Sequence, residues 1–123
     1  VERLMPAKAN RPDETQEWLD HQAETWVGTY KKAMLAPVIL AVVECHQPLG
    51  VAEIAERAMA ATGWTLTERG MYRTVKRLEG QEFLSSRHVA TARTGAKSKE
   101  ISLTSLGAEY LARVRASTVT LPR

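Results

Sequence analysis

Between Thr67 and Leu103 the hydrophobic spacing of this 123-residue sequence switches from a helical to an alternating period. Met71, Val75 and Leu78 recur at i, i+4 and i+7, the repeat of one helix face. Phe83 to Val89 then reads as a strand, residues 90–97 are small and basic, and Glu100-Ile101-Ser102-Leu103 alternates as a second strand. A helix followed at once by a tight two-stranded hairpin needs other helices to cover it, because an isolated hairpin is barely stable in water.

Charge singles out the same segment. Thr67 to Lys99 holds eight Lys and Arg against three acids, whereas the rest of the chain holds nine against eleven. A basic footprint on a slightly acidic body points to a polyanionic partner. On a wheel of 100° per residue, Arg69, Arg73 and Lys76 lie opposite the apolar face, with Arg77 beside them and Tyr72 on the flank. Thr74 falls to one side. Thr67 fits the N-cap position, followed by Glu68 in the first turn. Such a face suits the major groove of double-stranded DNA, about 12 Å wide, where Arg reads guanine bidentately. In the hairpin, Arg93, Lys97 and Lys99 form a basic tip suited to phosphates. The blander reading is a solvated basic face, in which Lys76 pairs with Glu79 at i+3.

The rest of the chain supplies helices. Residues 1–12 hold two prolines and no periodicity, and read as a flexible arm. From Asp13, a candidate N-cap, Trp18, Leu19, Ala23, Trp26, Val27, Tyr30 and Met34 recur at helical spacing over 13–34. Pro37 marks a break or restart before a nearly all-apolar helix to His46, which must be buried. Gln47 to Gly50 is a turn, Val51 to Ala61 an amphipathic helix ended by Thr62-Gly63, and Thr67 to Gly80 the basic helix. Thr104 caps a last helix with Leu106, Tyr110, Leu111 and Val114 on one face, and residues 117–123 form a tail. The expected fold is mainly α with a small β-hairpin: a winged helix-turn-helix over 35–116 with an additional N-terminal helix over 13–34.

Several chemistries find no support. Cys45 is the only cysteine, so neither an internal disulfide nor a paired-cysteine zinc motif is expected. His21, His46 and His88 are scattered, and no phosphate loop or nucleophile elbow is present. No catalysis, metal or cofactor is expected. No uninterrupted apolar run approaches the roughly 20 residues of a membrane helix, so a cytoplasmic protein without a membrane partner is expected.

Met71-Tyr72-Arg73-Thr74-Val75-Lys76-Arg77-Leu78-Glu79 resembles the Leu-Tyr pair and Lys-Arg-Leu-Glu run of the PadR-like family of bacterial transcription regulators. Phe83-Leu84, Leu103-Thr104-x-x-Gly107, Pro48-Leu49 and Glu53-Ile54-Ala55 are similar to its strand entry, last-helix entry, turn and second helix. The likeness covers about Leu35 to Val114. Departures are Gly50-Val51-Ala52 in place of His-Gly-Tyr, Gly70 in place of Thr, Glu82 in place of Gly, and Ile101 in place of Tyr. The resemblance implies a homodimeric regulator, often a repressor, on a palindromic operator, with some relatives taking an aromatic small molecule at the dimer interface. Its members often dimerise through a long helix after the wing. Here the sequence ends soon after Val114, so dimerisation is expected at Trp18, Leu19, Trp26 and Tyr30. The same tryptophans lining an effector pocket is the less favoured reading. A winged-helix module that binds another protein through this helix, without reading DNA, is the alternative.

Overall fold

In a computed structural model that describes residues 12–90 and 97–123, the described residues form four helices and one hairpin. The order is α1 (Pro12–His46), α2 (Val51–Thr62), α3 (Glu68–Gly80), β1 (Leu84–Ala90), β2 (Lys97–Leu103) and α4 (Ser105–Ser117). The arm expected over 1–12 and the hairpin tip lie largely outside the described residues. The chain divides between Met34 and Leu35 into two compact units.

Where a break was expected, α1 is continuous, with Pro37 inside it. A proline in a helix interior costs about 3 kcal/mol. Packing outweighs that cost, because Pro37 itself is buried and Ile39, Leu40 and Val43 within the next two turns are fully buried. Each such side chain is worth about 1.5–3 kcal/mol. Continuity also makes α1 longer and more apolar than uninterrupted runs suggest. One 18-residue stretch reaches a mean hydropathy of 1.3, enough by length and composition to cross a membrane. The apolar side chains from Ile39 to Val43 are already accounted for, since they form the core of the second unit.

That core joins α1 to Val51, Ile54 and Ala58 of α2, Met71, Val75 and Leu78 of α3, Leu84 and Ile101 of the hairpin, and Leu111 of α4. The expected inward face of α3 is observed. On α4, however, the buried positions are Gly107 and Leu111, while Leu106 and Tyr110 are exposed. Tyr110 instead stacks on Phe83, with ring centroids 4.5 Å apart.

The strands pair antiparallel, with Leu84 opposite Leu103 and Ser86 opposite Ile101. A third, one-residue strand was not legible in the sequence. Leu49 N donates to Ile101 O at 3.0 Å, and Ile101 N donates to Leu49 O at 2.7 Å. Gln47 adds its side-chain oxygen as acceptor for Leu103 N at 2.8 Å. The turn after α1 is therefore stitched to the edge of the hairpin.

Between α3 and β1, Phe83 N donates to Leu78 O and Glu82 N to Glu79 O, at 3.0 and 2.9 Å. These are the two bonds of a Schellman cap. Its left-handed position is Glu82, with φ 66°, the place where the PadR-like pattern has Gly. A left-handed non-glycine residue costs about 1–2 kcal/mol. Part of any gain on substitution is lost to glycine's greater unfolded-state freedom. Glu82→Gly is expected to stabilise the fold by about 0.5–1 kcal/mol, raising Tm by about 2–5 °C. A melt at or below that of the unsubstituted protein would show that the turn relaxes its strain elsewhere.

Candidate nucleic-acid interface

The turn that links α2 to α3 fixes where α3 begins. Gly63 ends α2 in the left-handed conformation, φ 76°, its N–H donating to Met59 O at 2.8 Å. Thr67 then caps α3 as expected, its hydroxyl oxygen accepting from Gly70 N at 3.0 Å. That oxygen is occupied by the helix, which leaves the hydroxyl hydrogen free to be donated outward.

Along α3 the buried side chains are Met71, Thr74, Val75 and Leu78. Thr74 differs from the sequence expectation. It is 8% exposed and turns its hydroxyl back to Gly70 O at 2.9 Å, which satisfies it inside the packed face. Arg69, Tyr72, Arg73, Lys76 and Arg77 are all exposed. The helical period puts the four cations within about a third of the circumference, away from the core. Among the described residues, none of the four forms an ion pair. Their charge is directed to solvent, in line with the wheel.

Glu79 was the expected partner for Lys76 in the bland reading. Instead it faces the hairpin. Lys99 Nζ lies 2.8 Å from Glu79 Oε1, and Ser86 Oγ donates to Glu79 Oε2 at 2.7 Å. Oε1 is buried with no well-directed hydrogen bond, so Lys99 and Glu79 act as an ion pair. Strand register explains the meeting: Ser86 and Lys99 lie on the sheet face that carries Leu84 and Ile101, the face turned to the core. Lys99, expected to touch phosphate, thus ties the wing to the end of α3. Neither Glu79 nor Ser86 was singled out as part of the site. Only the register brings them together.

The remaining wing residues divide. Lys97 opens β2 opposite Ala90, and its side chain, like all of Arg93, lies outside the described residues. Arg87 is 3.5 Å from Glu100 across the strands, with a side chain 76% exposed. An ion pair that open to solvent holds its cation only weakly. Arg87 was counted in the basic segment but not singled out. Its side chain lies on the hairpin face opposite the one that carries Leu84 and Ile101.

No family model and no curated protein matches the sequence. Solved structures do. A PadR-like transcription factor from Bacteroides fragilis is 22% identical, with a TM-score of 0.63 over 76% of this chain and 87% of that one. A PadR-family transcriptional regulator from Eggerthella lenta is 20% identical, with a TM-score of 0.67 over 81% and 85%. Bacillus subtilis PadR, solved in complex with operator DNA, is 21% identical, with a TM-score of 0.63 over 73% of this chain and 52% of that one. Four helices with a two-stranded antiparallel hairpin among the described residues agree with these likenesses, and the chain has the PadR-like winged-helix fold.

Proposed function

We propose that the chain is a sequence-specific regulator of transcription that binds double-stranded DNA as a homodimer, most simply as a repressor that occupies its operator. The observation that carries this reading is the set of four exposed cations, unpaired among the described residues, on the outer face of α3, the second helix of the helix-turn-helix. Arg69, Arg73, Lys76 and Arg77, with Tyr72 beside them, would enter the major groove. Thr67 would donate to a backbone phosphate at the groove edge. Arg87, Arg93 and Lys97 would follow the backbone from the wing. Lys99 would act through Glu79, by holding the wing against α3. The likeness to a PadR solved with operator DNA supports the reading.

Phosphate neutralisation predicts a steep salt dependence. With four cations engaged per subunit, the log–log slope of affinity against salt should be about −3.5 for one subunit and about −7 for two. Titrating a labelled duplex, selected from a random library against this protein, at several salt concentrations measures it. Failure to select any duplex, or a flat salt response, would remove the DNA reading and leave a protein-binding module.

A further inference from the structure

Two faces of α2 meet other parts of the second unit. Val51, Ile54 and Ala58 are buried in the core. Ala52, Ala55, Glu56 and Met59 recur at i, i+3, i+4 and i+7, so they form a second stripe, and this one borders α3. Packed helices ordinarily interdigitate with few voids. Here two alanines face the neighbour, and a cleft of about 240 Å³ remains between α2 and α3. Leu66 of the connecting turn and Tyr72 of α3 extend its apolar wall, with Met71, 1% exposed, on the inner side.

Two carboxylates share this cleft: Glu56 in the middle of α2 and Glu68 in the first turn of α3. Both are exposed, and among the described residues neither has an ion-pair or hydrogen-bond partner. By contrast, Glu44, Glu79 and Glu100 each pair with a Lys or Arg, and Glu53 accepts from Gly50 N. The helix N-terminus favours Glu68. Nothing comparable holds Glu56. The neighbouring cation, Arg57, is directed to His46 instead, its Nη1 3.4 Å from Nε2.

These features select the occupant. An anion is repelled. A neutral apolar molecule leaves two carboxylates beside it without compensation. A metal ion needs more oxygen ligands, and among the described residues no three His, Cys, Asp or Glu side chains gather. A protonated amine on a single ring matches both the apolar wall and the charges. The volume is below the roughly 300 Å³ at which pockets for drug-sized ligands begin.

We propose that the α2–α3 cleft binds a small organic cation, a protonated amine on one aromatic ring, with the ring against Ala55 and Met59 and the ammonium between Glu56 and Glu68. These carboxylates flank the helix that carries the exposed cations, and their charge opposes phosphate. A bound amine offsets that charge, so occupancy strengthens DNA binding. The site stands without the DNA reading. Only its effect on affinity rests on the proposed function, so the test has one arm without DNA and one with it.

Three probes share one ring and differ in charge: 2-phenylethylamine, 2-phenylethanol and phenylacetate. Titrated into the full chain labelled at its methionine methyls, the amine should shift Met59 and Met71 saturably and leave Met34, in the other unit, unmoved. For so few atoms its Kd should be about 1 mM. The alcohol should bind about fivefold to tenfold more weakly, and phenylacetate more weakly again. Glu56→Gln combined with Glu68→Gln should bring the amine to the level of the alcohol. Melting should stay within about 3 °C, because both side chains are exposed. Ala55→Leu, which fills the cleft, should weaken all three probes. On the selected duplex at matched ionic strength, saturating amine should raise affinity about twofold to fivefold. The double Gln variant should start at that higher affinity and not respond. Absent shifts at Met59 and Met71, equal Kd for amine and alcohol, or an amine preference that survives both Gln substitutions would each overturn the site. Amine binding that leaves duplex affinity unchanged or lowers it would overturn the charge-relief role. A protein that binds the amine but no duplex would count against the DNA reading alone.

Discussion

Replacing Arg73 and Lys76 together by Ala is expected to reduce DNA affinity by a factor of a hundred or more while leaving the fold unchanged. Both side chains are exposed on α3 and neither pairs with an acid among the described residues, so their removal leaves no buried group unsatisfied. A well-placed side chain on a base edge contributes about 1–3 kcal/mol. Two of them correspond to roughly 30-fold to 10⁴-fold in affinity, and a two-fold complex forfeits them at both half-sites. The salt slope should also become shallower by about one for each phosphate that is no longer neutralised. Fluorescence anisotropy on the selected duplex gives the affinity, and a thermal melt within about 2 °C of the unsubstituted protein shows the fold intact. Unchanged affinity in a folded double variant would mean that α3 is not the reading helix. The basic surface would then be a solubility feature.

The exposed basic residues of α3 were legible because they rest on one helical period. Met71, Val75 and Leu78 place the core, and everything opposite them is fixed by 100° steps. Thr74 was not legible in this way. Its angle is intermediate, and its burial is decided by a hydrogen bond to Gly70 that periodicity does not encode. Lys99 marks a second limit. It stands in a basic run, so composition assigns it to the phosphate surface. Only the pairing of Ser86 with Ile101, and of His88 with Lys99, shows which side of the hairpin it occupies. Strand register is set by tertiary packing rather than by local sequence. The same applies to Leu49, whose one-residue strand has no periodicity to detect. At Pro37 a local rule is outweighed by burial, which is why two expected helices are one. Glu82 was legible from the opposite direction. A residue standing where the resembled pattern has Gly pointed to a turn with unusual geometry, and its φ of 66° is the result.

Gly107→Ala should unfold the protein far more readily, although Gly→Ala inside a helix ordinarily stabilises by about 1 kcal/mol. The sign reverses because Gly107 is buried in the first turn of α4, against the turn that joins α3 to β1. A Cβ there would overlap the carbonyl oxygen of Phe83 and lie 2.8 Å from Leu103 Cδ1 and 3.0 Å from Phe83 C. The leucine can rotate away, but the carbonyl cannot. Phe83 O accepts from Thr104 N at 3.1 Å, and the Phe83 ring is stacked on Tyr110. The hydroxyl of Thr104 completes the lock. It donates to Glu82 O at 2.6 Å and accepts from Gly107 N at 2.9 Å, so one side chain caps α4 and ties it to the Schellman turn. Relieving the overlap requires moving α4 away from that turn, which breaks these bonds and loosens Leu111 in the core. A forced backbone shift of this kind costs about 3 kcal/mol or more, a fall in Tm of about 10 °C or more for a chain of this size. The turn under strain is also the one that leads from α3 into the hairpin. DNA affinity should therefore fall even at temperatures where the variant remains folded, whereas Glu82→Gly in the same turn should leave it unchanged. A Gly107→Ala protein that melts within about 2 °C of the original would show that α4 can move freely. In that case its packing against the turn does not set the spacing between α3 and the wing.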